Sequence, residues 1–283
     1  MVYDSFTKLH IFDLGPIKRA VIELGDITLF IGKPNTGKSL VMRAIFQYLR
    51  EKGIKDIAYL HRDRAFWTFQ SLLVPGIARE TGSLSSYDEK IYKITKPLLK
   101  GELKDLGFGL AYFENKKLIP WEKVSSSVLE IVSFLLSVKE GSPVLYEEPE
   151  THLHEELQLL MGIVLYALSS FNPIVISTHS QTLFYAIAHL SMLRPTKEEL
   201  KGLFEDLKVK DYEALAEAVE KANQKEVKVK IYHFTEGEVK EVSVEDAVKG
   251  MPGTIDVLKK EFKWVSSLHS KRLFGDSEGA KNE

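Results

Sequence analysis

The 283-residue chain contains no cysteine, which excludes disulfide staples and thiolate metal sites and fits a reducing compartment. It lacks a surplus of either charge. Against 40 Asp and Glu stand 38 Lys and Arg, a net charge of −2, so no global basic field is present to attract nucleic acid or an anionic membrane. Long hydrophobic runs are also missing. The greasiest stretch, LLMGIVLYAL at 159–168, is too short to span a bilayer, and MVYDSFTKLHIFDL has no basic start leading into an apolar stretch. A soluble cytoplasmic protein with no membrane partner is expected. Asn and Gln are sparse beside Lys and Glu, a balance found in heat-adapted proteins. With 44% hydrophobic residues, the chain has ample material for a buried core.

KLHIFDL and RAVIEL are short β-type runs joined by Gly15-Pro16, and ITLFIG follows Gly25-Asp26. SLVMRAIFQYLREKG carries apolar residues at helical spacing and stops at a glycine. The next strand is IKDIAYLHRDR, with His61, Arg62 and Arg64 at its far end. From about 66 to 140 the pattern is mostly helical and aromatic-rich, with GFGLAYFENKKLIPW as an inserted hairpin. SPVLYEEPETHLH, EELQLLMGIVLYALSSF and PIVISTHS alternate buried strand and helix, which indicates a parallel α/β sheet. The Thr196-x-x-Glu199 capping signal opens further helices to about 225. VKVKIYHFTEGEVKEVSV then alternates as a hairpin around Glu236-Gly237, and the last fifteen residues are polar.

Three elements carry chemistry. The first is Gly32-Lys33-Pro34-Asn35-Thr36-Gly37-Lys38-Ser39, followed by Leu40 at the start of a helix. Its glycines let consecutive backbone N–H groups turn toward phosphate oxygens, where the following helix also aims its positive end. Lys38 would neutralise the β and γ phosphates, and the Ser39 hydroxyl would ligate Mg²⁺. The alternative, an ordinary glycine turn, is disfavoured by the position between strand and helix. The second element is VLYEEPE, whose Glu147 and Glu148 emerge at the carboxyl end of a buried strand. Glu147 would reach Mg²⁺, and Glu148 would orient the attacking water; a solvated acidic turn is the plainer reading. The third is His179 at the end of PIVISTHS, able to offer one directed N–H to a γ phosphate or simply to begin the next helix.

Together these elements resemble the ABC-type ATPase core, in particular the soluble OLD-like, RecF-like and SMC-like ATPases grouped as AAA-15 or AAA-21 proteins. The specific part of the resemblance is EPE-x-HLH running into ISTHS about thirty residues later. It implies an α/β P-loop NTPase fold: an ABC-type core sheet with N-terminal antiparallel strands, a mainly helical insertion, and a C-terminal helix plus β-hairpin extension. Residues 1–240 would form the core, including the insertion at about 66–140, and residues 241–283 a C-terminal extension and polar tail. Glu147 would be the Walker B acid and Glu148 the catalytic glutamate. Thr151 to His154 would form the D-loop, and His179 would be the switch histidine. The family's signature segment, which meets the γ phosphate held by a partner subunit, corresponds here to WEKVSSSVLEIVSFL. Ser126 would supply the hydroxyl, and Ser127 stands where the family has a glycine that visits positive φ. By the resemblance, Arg64 takes the place of the family's Q-loop or arginine, as a contact to the γ phosphate or as a coupling contact.

The Pro34-Asn35 spelling also occurs in GTPases, but the only Asn-Lys pair, Asn115-Lys116-Lys117-Leu118, lacks the acid that reads guanine. Transporter subunits resemble the core too, yet carry an intact Leu-Ser-Gly-Gly-Gln segment and a Q-loop glutamine, both missing here. An OLD-type nuclease would add an Asp-x-Asp pair, and no two aspartates are so spaced. The expectation is a compact ATPase that uses ATP and Mg²⁺ and forms a homodimer on binding ATP. Two outputs stay open: an enzyme of DNA maintenance or defence, or a slow nucleotide switch regulating an unknown protein partner. Lys90, Lys93, Lys96, Lys100 and Lys104 are the candidate DNA contacts, against a plainer reading as a solvated lysine face. Phe66 and Trp67 read as core aromatics that alternatively stack on a base.

Overall fold

In the computed structural model, which describes residues 8–73, 87–106 and 109–250, the chain opens with strands β1 (Leu9–Leu14) and β2 (Ile17–Ile22), paired antiparallel across the turn at Gly15. Strand β3 (Ile27–Gly32) enters the phosphate-loop sequence, and helix α1 (Lys38–Glu51) leaves it. β4 (Ala58–Leu60) and α2 (Arg64–Leu73) follow. Next come α3 (Glu89–Thr95), β5 (Glu102–Asp105), β6 (Leu110–Glu114), β7 (Lys117–Ile119) and α4 (Ser126–Ser137). β8 (Val144–Glu147), α5 (Glu155–Leu168), β9 (Ile174–Ser177) and α6 (Gln181–Leu193) then alternate. The described chain closes with α7 (Lys197–Asp206), α8 (Glu213–Gln224), β10 (Val229–Phe234), β11 (Val239–Val242) and α9 (Val244–Val248).

The central sheet has the order β11-β10-β3-β9-β8-β4, with every neighbouring pair parallel except β10 and β11. Both faces of β3, β8 and β9 are covered, so these strands are largely apolar, and their period of two divides the core. Ile27, Leu29, Ile31, Val144, Tyr146, Ile174 and Ile176 face the side packed by α4 to α8. Phe30, Leu145, Val175, Tyr232 and Phe234 face α1 and the β1–β2 pair. Because β3, β8 and β9 are parallel neighbours or next neighbours, their carboxyl ends converge on one edge of the sheet. In an open α/β sheet that edge is where ligands are held.

The α/β fold with a P-loop sheet is as expected, and the Thr196 and Glu199 capping box that starts α7 is formed. Among the described residues of 66–140, helices α2, α3 and α4 outweigh the strands, as expected, and the inserted hairpin is extended: β5, β6 and β7 form a three-stranded antiparallel sheet. The β6–β7 hairpin was legible, its turn resting on Asn115 and Lys116 at φ of 50 and 64°. β5 reads as polar because it is an edge strand that buries only Leu103. The C-terminal hairpin joins the central sheet: its first strand, β10, lies beside β3 as the second strand from the edge, and β11, the edge strand, crosses position 240. The polar tail falls in 251–283, outside the described residues.

Candidate active site

The phosphate loop owes its shape to three residues with positive φ: Gly32 (136°), Asn35 (62°) and Gly37 (100°). At Gly32 a side chain is barred sterically as well, since a Cβ would stand 2.3 Å from the Phe234 carbonyl oxygen. Asn is among the few non-glycine residues that enter the left-handed region readily. The Pro34-Asn35 spelling is therefore a backbone device and carries no information about the base. Thr36 closes the turn by donating from Oγ1 to the Lys33 carbonyl (2.8 Å). Lys38 Nζ donates to the carbonyls of Gly32 (2.9 Å) and Lys33 (2.8 Å). Burial lowers the Lys38 pKa to about 8, against the opposing pull of Glu148 and Glu150. Ser39 and Leu40 lie in the first turn of α1, and Leu40 packs over Gly15.

Ser39 Oγ donates to Glu147 Oε2 at 3.3 Å, which brings the two expected metal ligands together. Glu147 is buried, and its other oxygen accepts from Tyr59 Oη at 2.5 Å. Tyr59 was not singled out from the sequence. Strand register explains its place: Tyr59 pairs with Leu145, so its side chain shares a face with Glu147 two residues on. Burial, then the bond to Glu147, raises its pKa, so it stays a donor at neutral pH. His61 Nε2 lies 3.7 Å from Glu147 Oε2. A serine hydroxyl and one carboxylate are hard oxygen donors that suit Mg²⁺, an ion that keeps most of its coordination for substrate phosphates and water. Among the described residues no group of three or more His, Asp or Glu side chains could hold a metal ion unaided.

Glu148 follows β8 at φ 47°, and this left-handed turn takes its side chain off the line of the strand. Its Oε1 lies 4.0 Å from His179 Nε2. Burial first, then the charge of Lys38, keeps the His179 pKa below its ordinary value, so the ring is neutral at pH 7. Glu150 was passed over in the sequence, although EEPE advertised a third acid. It accepts from Thr178 Oγ1 (2.9 Å), His179 N (2.6 Å) and Ser180 N (3.1 Å). These bonds fasten the turn after β8 to the turn after β9. Burial raises its pKa, against the bonds from His179 N and Thr178 Oγ1.

Ser125 caps α4, Ser126 is its first residue, and both are exposed. Ser127 lies within the helix with negative φ, so the expected demand for a glycine conformation does not arise there. Its Oγ donates to the carbonyl of His152 at 2.6 Å. Of the two contacts expected of Arg64, the one to a phosphate is corrected: the side chain is turned inward and buried, in an ion pair with Glu130 (2.6 Å). Of the five lysines, Lys90, Lys93, Lys96 and Lys104 are engaged by Glu140, Glu89, Asp211 and Glu102. Phe66 and Trp67, read as core, stand 57% and 64% exposed on α2.

No protein-family model and no curated sequence matches the chain. Solved structures do. The chain is similar to an SMC head bound to the C-winged helix domain of ScpA, with TM-score 0.51 and 12% identity over 86% of this chain and 99% of that one. It is similar to an SMC head domain from Thermotoga maritima (TM-score 0.45, 11% identity, 64% and 91% covered). A bacterial ABC transporter cassette solved as a dimer is also similar (0.41, 12%, 84% and 96%). The fold, a mixed α/β arrangement around a mostly parallel sheet, is similar to that of the SMC head. Among the described residues no helix is long and apolar enough to cross a membrane.

Proposed function

We propose that the protein is a Mg²⁺-dependent ABC-type ATPase that binds ATP, hydrolyses it, and works through nucleotide-driven dimerisation. The observation that carries this reading is the meeting of three strand ends: Lys38 and Ser39 after β3, Glu147 and Glu148 at the end of β8, and His179 after β9. The N–H groups at the start of α1 and the Lys38 ammonium bind the triphosphate, Lys38 giving up two backbone carbonyls for phosphate oxygens. Ser39 and Glu147 would hold Mg²⁺, whose chemistry there would be neutralisation of phosphate charge. Glu148 holds the attacking water and takes its proton, while neutral His179 donates to the γ phosphate. The exposed start of α4 at Ser126 is free to meet the nucleotide of a second subunit.

A DNA-directed output in maintenance or defence would need cations free to meet phosphate. The pairing of four of the five lysines favours the second output, a slow switch acting on a protein partner. Binding of ATP and GTP, read together with oligomeric mass and turnover with and without DNA, tests both. ATP-selective binding that produces a dimer supports the reading; absence of ATP binding overturns it. DNA-stimulated turnover would restore the DNA output, and a dimer with negligible turnover supports the switch.

A further inference from the structure

Glu148 is a non-glycine residue in the left-handed region directly after a buried strand. Such a conformation is strained and persists only where the surroundings over-determine it. Here they do. Glu148 N donates to the Ser177 carbonyl (2.8 Å), and Thr151 N donates back to the Glu148 carbonyl (3.0 Å). Arg64 supplies the rest: Nη1 donates to the Glu147 carbonyl (2.8 Å) and Nη2 to the Glu148 carbonyl (3.1 Å). One guanidinium thus grips both peptide groups that flank the bend. Its Nε end lies 2.6 Å from Glu130 Oε2, and its plane stacks 4.4 Å from the centroid of Tyr146.

Glu130 is fully buried and belongs to α4. A buried ion pair is weak evidence of stability, since apolar packing does as well, so its placement calls for another reason. Glu130 is four residues beyond Ser126 and on the same side of α4. The helix start that would meet a second subunit is therefore joined, through Glu130 and Arg64, to the backbone beneath the catalytic glutamate. Ser127, bonded to the His152 carbonyl, ties the same helix end to the same turn.

We infer that Arg64 is a positioning residue for hydrolysis: anchored by Glu130 of α4, it fixes the backbone bend that aims the Glu148 carboxylate, and so links the position of α4 to the readiness of the catalytic group. The inference rests on the ATPase reading. A guanidinium is required because a lysine ammonium cannot span two carbonyls and a carboxylate at once.

The test is steady-state ATPase kinetics of full-length Arg64→Lys and of the double variant Arg64→Leu/Glu130→Leu, which removes both buried charges together. In each, kcat falls about tenfold to a hundredfold, as for a slightly misplaced catalytic group, with KM and ATP affinity unchanged. In a Glu148→Gln background the same changes lower the residual rate no further, because both act through one group. A kcat within twofold of the parent, or losses that add in the Glu148→Gln background, overturns the inference. Should the double variant melt below the assay temperature, Arg64→Lys, which keeps the charge opposite Glu130, decides by the same criteria. A parent protein that neither binds nor hydrolyses ATP instead refutes the ATPase reading itself.

Discussion

The loop between β3 and α1 and the turn after β8 both present polar groups at the same edge of the sheet, yet they are held in opposite ways. The first is shaped from within. Gly32, Asn35 and Gly37 set its path, and the bonds of Thr36 and Lys38 fall on carbonyls no more than six residues away. The second is shaped from outside: Arg64 grips it from 83 and 84 residues away, Tyr59 from 88, and Ser177 across the next strand. A loop shaped this way takes most of its path from its own residues, with Phe234 and Ile17 closing in on its glycines. A turn held by other elements can report where those elements are.

Substitutions can break or sharpen this contrast. The largest effect is expected at the externally held turn, where Glu148→Gln should lower kcat by roughly 10²–10⁴-fold, the usual worth of a general base, while ATP is retained and a dimer accumulates on sizing columns. Parental turnover in that variant would remove Glu148 from catalysis. In the loop, Lys38→Ala should weaken ATP binding by about a hundredfold, the loss of charge-assisted hydrogen bonds. Calorimetric titration showing unchanged affinity would contradict the phosphate-cradle assignment. Gly37→Ala forces a Cβ onto a residue at φ 100° and within 2.9 Å of Ile17 Cδ1. It should lower stability to denaturant by about 1–3 kcal/mol, whereas Asn35→Gly, already left-handed, should change it little. Equal effects at the two positions would mean that the loop is not shaped by φ.

Two smaller effects concern the charges between the turns. Lys38 titrates near pH 8 in the folded protein because burial disfavours its charged form. The ammonium fraction therefore falls as pH rises through 8, so ATP affinity should be level below that pH and decline above it, with proton uptake on binding at pH 9. A flat profile to pH 10 would show that Lys38 remains charged without phosphate. Tyr59→Phe removes one bond to Glu147 and should cost about 1 kcal/mol, seen as a several-fold rise in the Mg²⁺ concentration needed for half-maximal turnover. An unaltered Mg²⁺ dependence would make that bond purely structural.

The same contrast governs what could be read in advance. The phosphate loop is spelled in eight consecutive residues, and the acids after β8 and the histidine after β9 are each placed by a strand that ends beside them. The parallel sheet followed from buried runs separated by helices. Long-range assembly was out of reach. Nothing in YLHRDR says that Arg64 turns inward to Glu130 instead of outward to a ligand, since the choice depends on a helix more than sixty residues later. Tyr59 needed the register of β4 against β8. Glu150 was visible as a third acid, but its three bonds come from residues 178–180. β5 was missed because an edge strand with one inward residue has no apolar pattern to read.

The close approach of Gly32 to the Phe234 carbonyl reaches into the protein's biosynthesis. β3 is made early, but its two sheet neighbours begin at residues 174 and 229, so pairings of such long range must await most of the chain and form slowly. While the nascent polypeptide is shorter than about 234 residues, the loop has its sequence but not its wall. On the ribosome, the bend at Gly32 would therefore gain its wall only with the arrival of the C-terminal strand.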